Sequence, residues 1–215
     1  EIDEVSILFT KLYADCITEE EIKNSDINIF KKNTLLIAYY EKHNPSLGLK
    51  LLRENYDRLG YDRNFVIMDS DDSLTVVKKI IKDMGYDPKI YNPRAIRNKI
   101  SSCKNEMMSP AMYERYAVSD YEKVIKEVYE KYETKLQRNN SVDFDDLLML
   151  PIELFREHKE VLSWYEERFQ YVLIDEYQDT NEAQYILTKM ITNKIRNICC
   201  VGDIDQSIYS FRGAN

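Results

Sequence analysis

Apolar residues recur at helical spacing through most of the chain, and only its last quarter departs from that pattern. Leu49, Leu52, Tyr56 and Leu59 fall on one helix face, and Gly60 stands where a left-handed cap would end a helix of about three turns. Leu74, Val77, Ile80, Ile81 and Met84 form the next face, behind Asp69, Ser70, Asp71 and Asp72 as a start signal and before Gly85 as a stop. The clearest helix opens at Ser119. There Ser-x-x-Glu to Glu122 spells a capping box, ahead of a stripe of Tyr121, Val124, Ile125, Val128, Tyr129, Tyr132 and Leu136 that reads as core. Asp143 or Asp145 is set to cap a further helix through Leu147 and Leu148, which Pro151 should kink or split before Ile152 and Phe155. A short helix is expected over 161–168.

From Tyr171 the pattern changes. YVLID is a short apolar run, NEAQYILTKMITNK is amphipathic, and NICCVGD is apolar again. Strand, helix, strand is the pattern of a right-handed βαβ unit with parallel strands, whose functional groups gather at the strand C-terminal ends. Those ends are Asp175/Glu176 and Gly202/Asp203. Two strands alone do not make a stable sheet, so the remaining strands are expected from elsewhere, as in a truncated protein. Residues 1–45, acidic and read as helical at TEEEIKN and NTLLIAYYEKHN, carry no motif.

Composition adds limits. The 215 residues, 44% of them apolar, suffice for a folded core. No run approaches the roughly 18 apolar residues of a membrane span, and the acidic start lacks the basic region of a secretion signal, so a cytoplasmic protein without membrane partners is expected. Cys16, Cys103, Cys199 and Cys200 show no CxxC pairing, and with His43 and His158 far apart no structural metal is predicted. The net charge of −8 argues against a wholly basic nucleic-acid binder. Locally, eight cations (Lys78, Lys79, Lys82, Lys89, Arg94, Arg97, Lys99, Lys104) face only Asp83 and Asp87, a stretch that either meets phosphates or forms a solvated helix face.

An acidic pair straight after an apolar strand suits phosphate hydrolysis. Asp175 at the strand end is placed to anchor Mg²⁺, and Glu176, pointing elsewhere, to orient or deprotonate the attacking water. The bland alternative is a pair of acids that merely caps a loop or helix. Two motifs favour chemistry: DEYQDT at 175–180 and VGDIDQSIYSFRGA at 201–214. Together and in this order they resemble the UvrD/PcrA/Rep helicases of superfamily 1, matching a DExQD motif (Asp175, Glu176, Tyr177, Gln178, Asp179) and a VGDxDQSIYxxRGA motif. NSVDFDDLL, SSCKNEMMSP and GLKLLRENYDRLGYDRNF resemble the helical insertion of that family's first motor, so the resemblance covers residues 48 to 215.

The resemblance implies an α/β fold, in which a predominantly α-helical accessory domain over 46–168 joins a partial βαβ unit of a RecA-like P-loop NTPase domain over 169–215. Residues 1–45 keep no assigned role. It further implies that Asp175 holds Mg²⁺, that Glu176 activates water for ATP hydrolysis, that Gln178 and Gln206 contact the nucleotide, and that Gln206 senses the γ-phosphate. Tyr209, Phe211 and Arg212 become candidates for stacking on and contacting DNA; ordinary core packing is the alternative for them. Phe211 stands where the family often has tryptophan, and Phe144 suits core or DNA contact equally. Implied partners are single-stranded DNA, single/double-strand junctions and DNA-repair proteins, in a 3′–5′ helicase.

The match has gaps. No GxxxxGK[ST] loop occurs in the 215 residues, EKHNPSLG replaces the family's TFHS-like segment, and no second motor domain is present. The chain by itself is therefore expected to bind ATP weakly and to be inactive. Two other readings stay open: a non-catalytic helical module gripping duplex DNA or a repair partner through residues 78–104, and a metal-dependent nuclease built on Asp175, Asp179 and Asp203.

Overall fold

A computed structural model describes residues 34–38, 45–169, 171–175, 177, 180–194 and 196–202, with backbone alone at 34–38, 45, 46, 171 and 175. In chain order the elements are β1 (Thr34–Ala38), α1 (Pro45–Asn55), a 3₁₀ turn (Tyr56–Leu59), β2 (Val66–Ile67), α2 (Ser70–Asp83) and α3 (Pro93–Asn105). There follow α4 (Pro110–Tyr113), α5 (Asp120–Arg138), β3 (Ser141–Val142), α6 (Asp146–Glu157), α7 (Lys159–Arg168), β4 (Tyr171–Asp175), α8 (Glu182–Thr192) and β5 (Ile198–Cys200).

The main sheet is parallel in the order β1-β4-β5, so the expected βαβ unit of β4, α8 and β5 is present. β1 corrects the sequence reading. It lies within the stretch expected to be helical and pairs with β4 from Thr34 opposite Tyr171 to Ala38 opposite Asp175. TLLIA is too short for periodicity to separate strand from helix, and pairing with a buried neighbour decides it. TEEEIKN lies outside the described residues. β2 and β3 make a second, two-stranded parallel pairing that the sequence did not suggest.

The helix punctuation follows the sequence closely. Gly60 and Gly85 have φ of 75° and 77°, a left-handed conformation that costs glycine little. Asp69 accepts hydrogen bonds from the backbone N–H groups of Asp71 and Asp72. Ser119 and Glu122 close their capping box. Of the two candidate caps for α6, Asp143 takes the role: it accepts from the Asp146 N–H at 2.9 Å, while the Asp146 carboxylate accepts from the Asp143 N–H. The buried face of α1 is Leu47, Leu51 and Leu52, whereas Leu49 is only partly buried.

Pro151 does not split α6; one helix runs through it from Asp146 to Glu157. Proline lacks the N–H that would bond the Leu147 carbonyl in an uninterrupted helix. Gly48 of α1 packs at that spot. A Cβ at residue 48 would lie 1.8 Å from the Leu147 oxygen, so only a bare Cα admits this approach.

Apolar side chains collect in two main groups. One joins α1, α6, α7, β4 and α8 through Leu51, Ile152, Phe155, Tyr165, Ile174, Leu187 and Ile191. The other joins α2, α3 and α5 through Val77, Ile81, Ile96, Ile100, Val128 and Tyr132. The tyrosine stripe of α5 is core for Tyr129 and Tyr132, while Tyr121 is exposed and stacks on Tyr91 with ring centroids 5.4 Å apart.

Gly48→Ala should lower stability by about 1–3 kcal/mol, because backbone cannot move aside as a side-chain end can. Urea unfolding monitored by circular dichroism measures it, and wild-type stability in the variant would refute the close packing of α1 on Leu147.

Candidate functional site

β4 is the middle strand of its sheet, and Val172, Leu173 and Ile174 are buried along it. A strand flanked on both sides and covered by helices is uniformly apolar, and its first polar residue marks the point of emergence. Here that residue is Asp175. Beyond it the two chain ends run together: the Val201 N–H donates to the Ile174 carbonyl at 2.8 Å, and the Tyr177 N–H donates to the Val201 carbonyl at 2.9 Å. The sheet thus brings the start of DEYQDT and the start of VGDIDQ side by side at one C-terminal edge, where parallel sheets bind their ligands. A carboxylate at such an edge is a hard oxygen donor of the kind Mg²⁺ prefers, so the position of Asp175 fits that ion.

Of the sequence-predicted site residues, Asp175 is placed as a backbone position. Glu176, Gln178, Asp179, Asp203, Gln206, Tyr209, Phe211 and Arg212 lie outside the described residues. Tyr177 is exposed.

Thr180, the last residue of DEYQDT, leads directly into a helix cap. The Thr180 N–H donates to the Tyr177 carbonyl at 3.1 Å. Asn181 then caps α8, its Oδ1 accepting from the Gln184 N–H at 2.9 Å while the Gln184 side chain accepts from the Asn181 N–H. The Asn181 Nδ2 donates to Asn105 Oδ1, at 2.8 Å, and the Asn105 Nδ2 donates to the Ser101 carbonyl and to Asp145 Oδ1.

Next to this chain of amides lies a buried ion cluster. Lys104 at the end of α3 is 0% exposed and donates to Asp146 Oδ1 at 2.7 Å and Asp143 Oδ2 at 2.9 Å, with Glu133 Oε1 2.8 Å away. Tyr132 donates its hydroxyl hydrogen to the same Asp143 oxygen. Burial would lower the Lys104 pKa, but Asp146, Asp143 and Glu133 outweigh it and hold the ammonium charged well above the usual lysine range. Burial would also raise Asp143; Lys104 and hydrogen bonds from Lys104, the Asp146 backbone and Tyr132 hold it below the ordinary carboxylate value. Asp146 and Glu133 go up, because their burial exceeds the pull of the one shared cation and neighbouring acids repel. One cation cannot neutralise three carboxylates, and the two acids it serves least are the ones pushed up.

Lys104 therefore leaves the basic stretch proposed from sequence. Lys78, Lys79, Lys82, Lys89, Arg94 and Lys99 are exposed, and Arg97, half-buried, donates to the Ser70 hydroxyl. Phe144, between two of the cluster's acids, is 50% exposed and so is not core. A cavity of about 450 Å³ is lined by Glu130, Glu133 and Glu153 among others, a charge that does not suit a triphosphate. Cys103, Cys199 and Cys200 form no disulfide, and Cys16 lies outside the described residues.

Sequence reasoning missed Asn105 and Asn181. The N-x-x-Q spacing of Asn181 and Gln184 is a legible capping signature. The bond to Asn105 spans 76 positions and leaves no local trace.

A sequence profile described as the UvrD/REP helicase N-terminal domain matches residues 10–215. The chain is 48% identical over 170 residues to the ATP-dependent DNA helicase PcrA of Bacillus subtilis (strain 168), covering 79% of this chain and 23% of that protein. It is 44% identical over 170 residues, with the same coverage of both, to the protein of that name from Staphylococcus aureus (strain Mu50 / ATCC 700699). The chain thus spans about a quarter of the length of these relatives.

Lys104→Ala should destabilise the fold by about 3–5 kcal/mol near neutral pH, since it strands buried carboxylates. Without the cation, burial and mutual repulsion raise their folded pKa values above the unfolded ones of about 4. A carboxyl so raised favours the folded state while protonated, and the variant loses stability as pH rises through those values. The melting-temperature gap to wild type should accordingly be wider at pH 8 than at pH 5; an unchanged gap would reject this electrostatic account.

Proposed function

The chain belongs to the UvrD/REP helicase family, and from that premise we propose that it is the part of an ATP-dependent DNA helicase that carries the hydrolysing acids and an accessory helical domain. Residues 46–168 form the accessory domain in this reading. Residues 169–215 belong to a RecA-like motor, to which β1 adds a strand. The carrying observation is the sheet edge at which Asp175 ends the central strand beside the end of β5.

Asp175 would hold Mg²⁺, which when bound with ATP neutralises charge on the transferring phosphoryl group. Glu176 receives the proton of the attacking water. Gln178 and Gln206 contact the nucleotide, Gln206 at the γ-phosphate. Tyr209, Phe211 and Arg212 contact single-stranded DNA by stacking and charge, without regard to base identity, which suits translocation. Phe144, open to solvent, offers one more stacking surface on the accessory side. Movement in the 3′–5′ direction, opening of duplex at junctions and work alongside repair proteins complete the reading. The six exposed cations on α2, α3 and the loop between them support a grip on duplex phosphates by the accessory domain.

In the full-length helicase, Glu176→Gln should cut DNA-stimulated ATP turnover by about 10²–10⁴-fold while a fluorescent ATP analogue still binds. Unchanged turnover would remove Glu176 as the base. Phe144→Ala should weaken single-stranded DNA binding about tenfold or more, the worth of one lost stack, with little change in the salt slope of affinity. Equal affinity in wild type and variant would exclude Phe144 from the strand path.

A further inference from the structure

SVDFDDLL, at 141–148, is a largely buried stretch with one aromatic turned outward. Val142, Asp143, Asp146 and Leu147 are buried, yet Phe144 in their midst is half exposed. A lone apolar residue on a surface needs no explanation, but this one stands between two acids that are buried instead of it, the reverse of the usual preference.

The bonding of the turn supplies the cause. Asp143 and Asp146 close a four-residue ring, each carboxylate accepting from the other's backbone N–H at 2.9 Å. Lys104 draws both carboxylates inward, and Tyr132 donates to Asp143 from α5. The remaining acid of the ring, Asp145, accepts from the Asn105 Nδ2 at 2.9 Å. Two consecutive residues at the end of α3 thus hold three of the ring's four side chains. Phe144 is the fourth, and the ring turns it out to solvent.

We propose that Asp145, held by Asn105, is a positioning residue for single-stranded DNA: with the Lys104 cluster it fixes the turn so that the Phe144 ring stands ready to stack on a base. This rests on the reading of Phe144 as a stacking surface in the strand path. Asp145 touches no DNA in this scheme. Its contribution is preorganisation, because a turn already held in the binding geometry loses less freedom when the strand arrives. Lys104, Asp143 and Asp146 hold the same turn but also hold the fold, so replacing them cannot isolate the effect. The Asp145 bond can be removed more gently: Asn105 Nδ2 still donates to the Ser101 carbonyl at 2.8 Å and is not left without a partner.

The test uses the full-length helicase, a fluorescently labelled oligothymidylate, and the variants Asp145→Ala, Asp145→Asn, Phe144→Ala and Phe144→Ala with Asp145→Ala. Asp145→Ala should weaken binding about threefold to tenfold, with the salt slope of affinity unchanged because no phosphate contact is lost. Asp145→Asn should bind within about twofold of wild type, since its Oδ1 accepts from the Asn105 Nδ2 as the carboxylate does. In the Phe144→Ala background, Asp145→Ala should have no further effect, as for two residues acting through one contact.

Wild-type affinity in Asp145→Ala would overturn the proposal. So would a further loss on adding Asp145→Ala to Phe144→Ala, which is what general loosening of the fold produces, or equal losses in Asp145→Ala and Asp145→Asn. Phe144→Ala alone separates the two layers: wild-type affinity there defeats the stacking reading itself, whereas a loss there with none in Asp145→Ala defeats only the positioning role.

Discussion

A single buried ammonium group holds the two halves of this structure in register. Lys104 ends α3, whose apolar face belongs to the helical core, yet its charge is shared with Asp143 and Asp146 at the head of α6, whose apolar face belongs to the core beneath the sheet. Desolvating that charge is costly, and the arrangement is tolerated only because three carboxylates and good hydrogen-bond geometry surround it. The acids in turn would be intolerable without the cation. Neither partner is replaceable alone, which makes the relative placement of α3, α5 and α6 specific and not merely compact.

Much of the local structure was legible because it depends on near neighbours in sequence. Gly60, Gly85, Ser119 with Glu122, and the apolar faces of α2 and α5 mark helices by chemistry acting over a few residues. The strand character of YVLID and NICC was legible for the same reason. TLLIA reads either way, since four apolar residues after a threonine fit helix or strand until a partner strand is known. Lys104 was misplaced on the surface because its acids come from 29 to 42 positions further on, beyond any local pattern. Of the candidate site, the strand end at Asp175 is legible from hydropathy and the acidic pair is a candidate by motif alone, while the amide chain leading to Asn181 emerges only from the fold.

Pro151 shows how two local defects can cancel. Within α6 alone, proline removes a backbone donor and should disturb the helix. Within α1 alone, glycine is a poor helix former. Where the helices cross, the bare Cα of Gly48 reaches the carbonyl that Pro151 leaves without its helical donor, and both helices continue. A reading that scores each helix by itself finds two faults and misses the single contact that explains both.

An apolar seam between the two cores would have served stability as well or better than a polar one. What polar groups add is direction. Apolar contacts tolerate small rotations of one helix against another, whereas a chain of donors and acceptors with one permitted polarity does not. Beginning at the Asp145 carboxylate, next in sequence to the Asp146 that Lys104 holds, and passing through Asn105 and Asn181, that polarity ends at the first turn of α8. The central strand fixes where Asp175 stands, and the polar seam fixes where α8 begins, so the sheet and the helical core each hold one end of this stretch of chain.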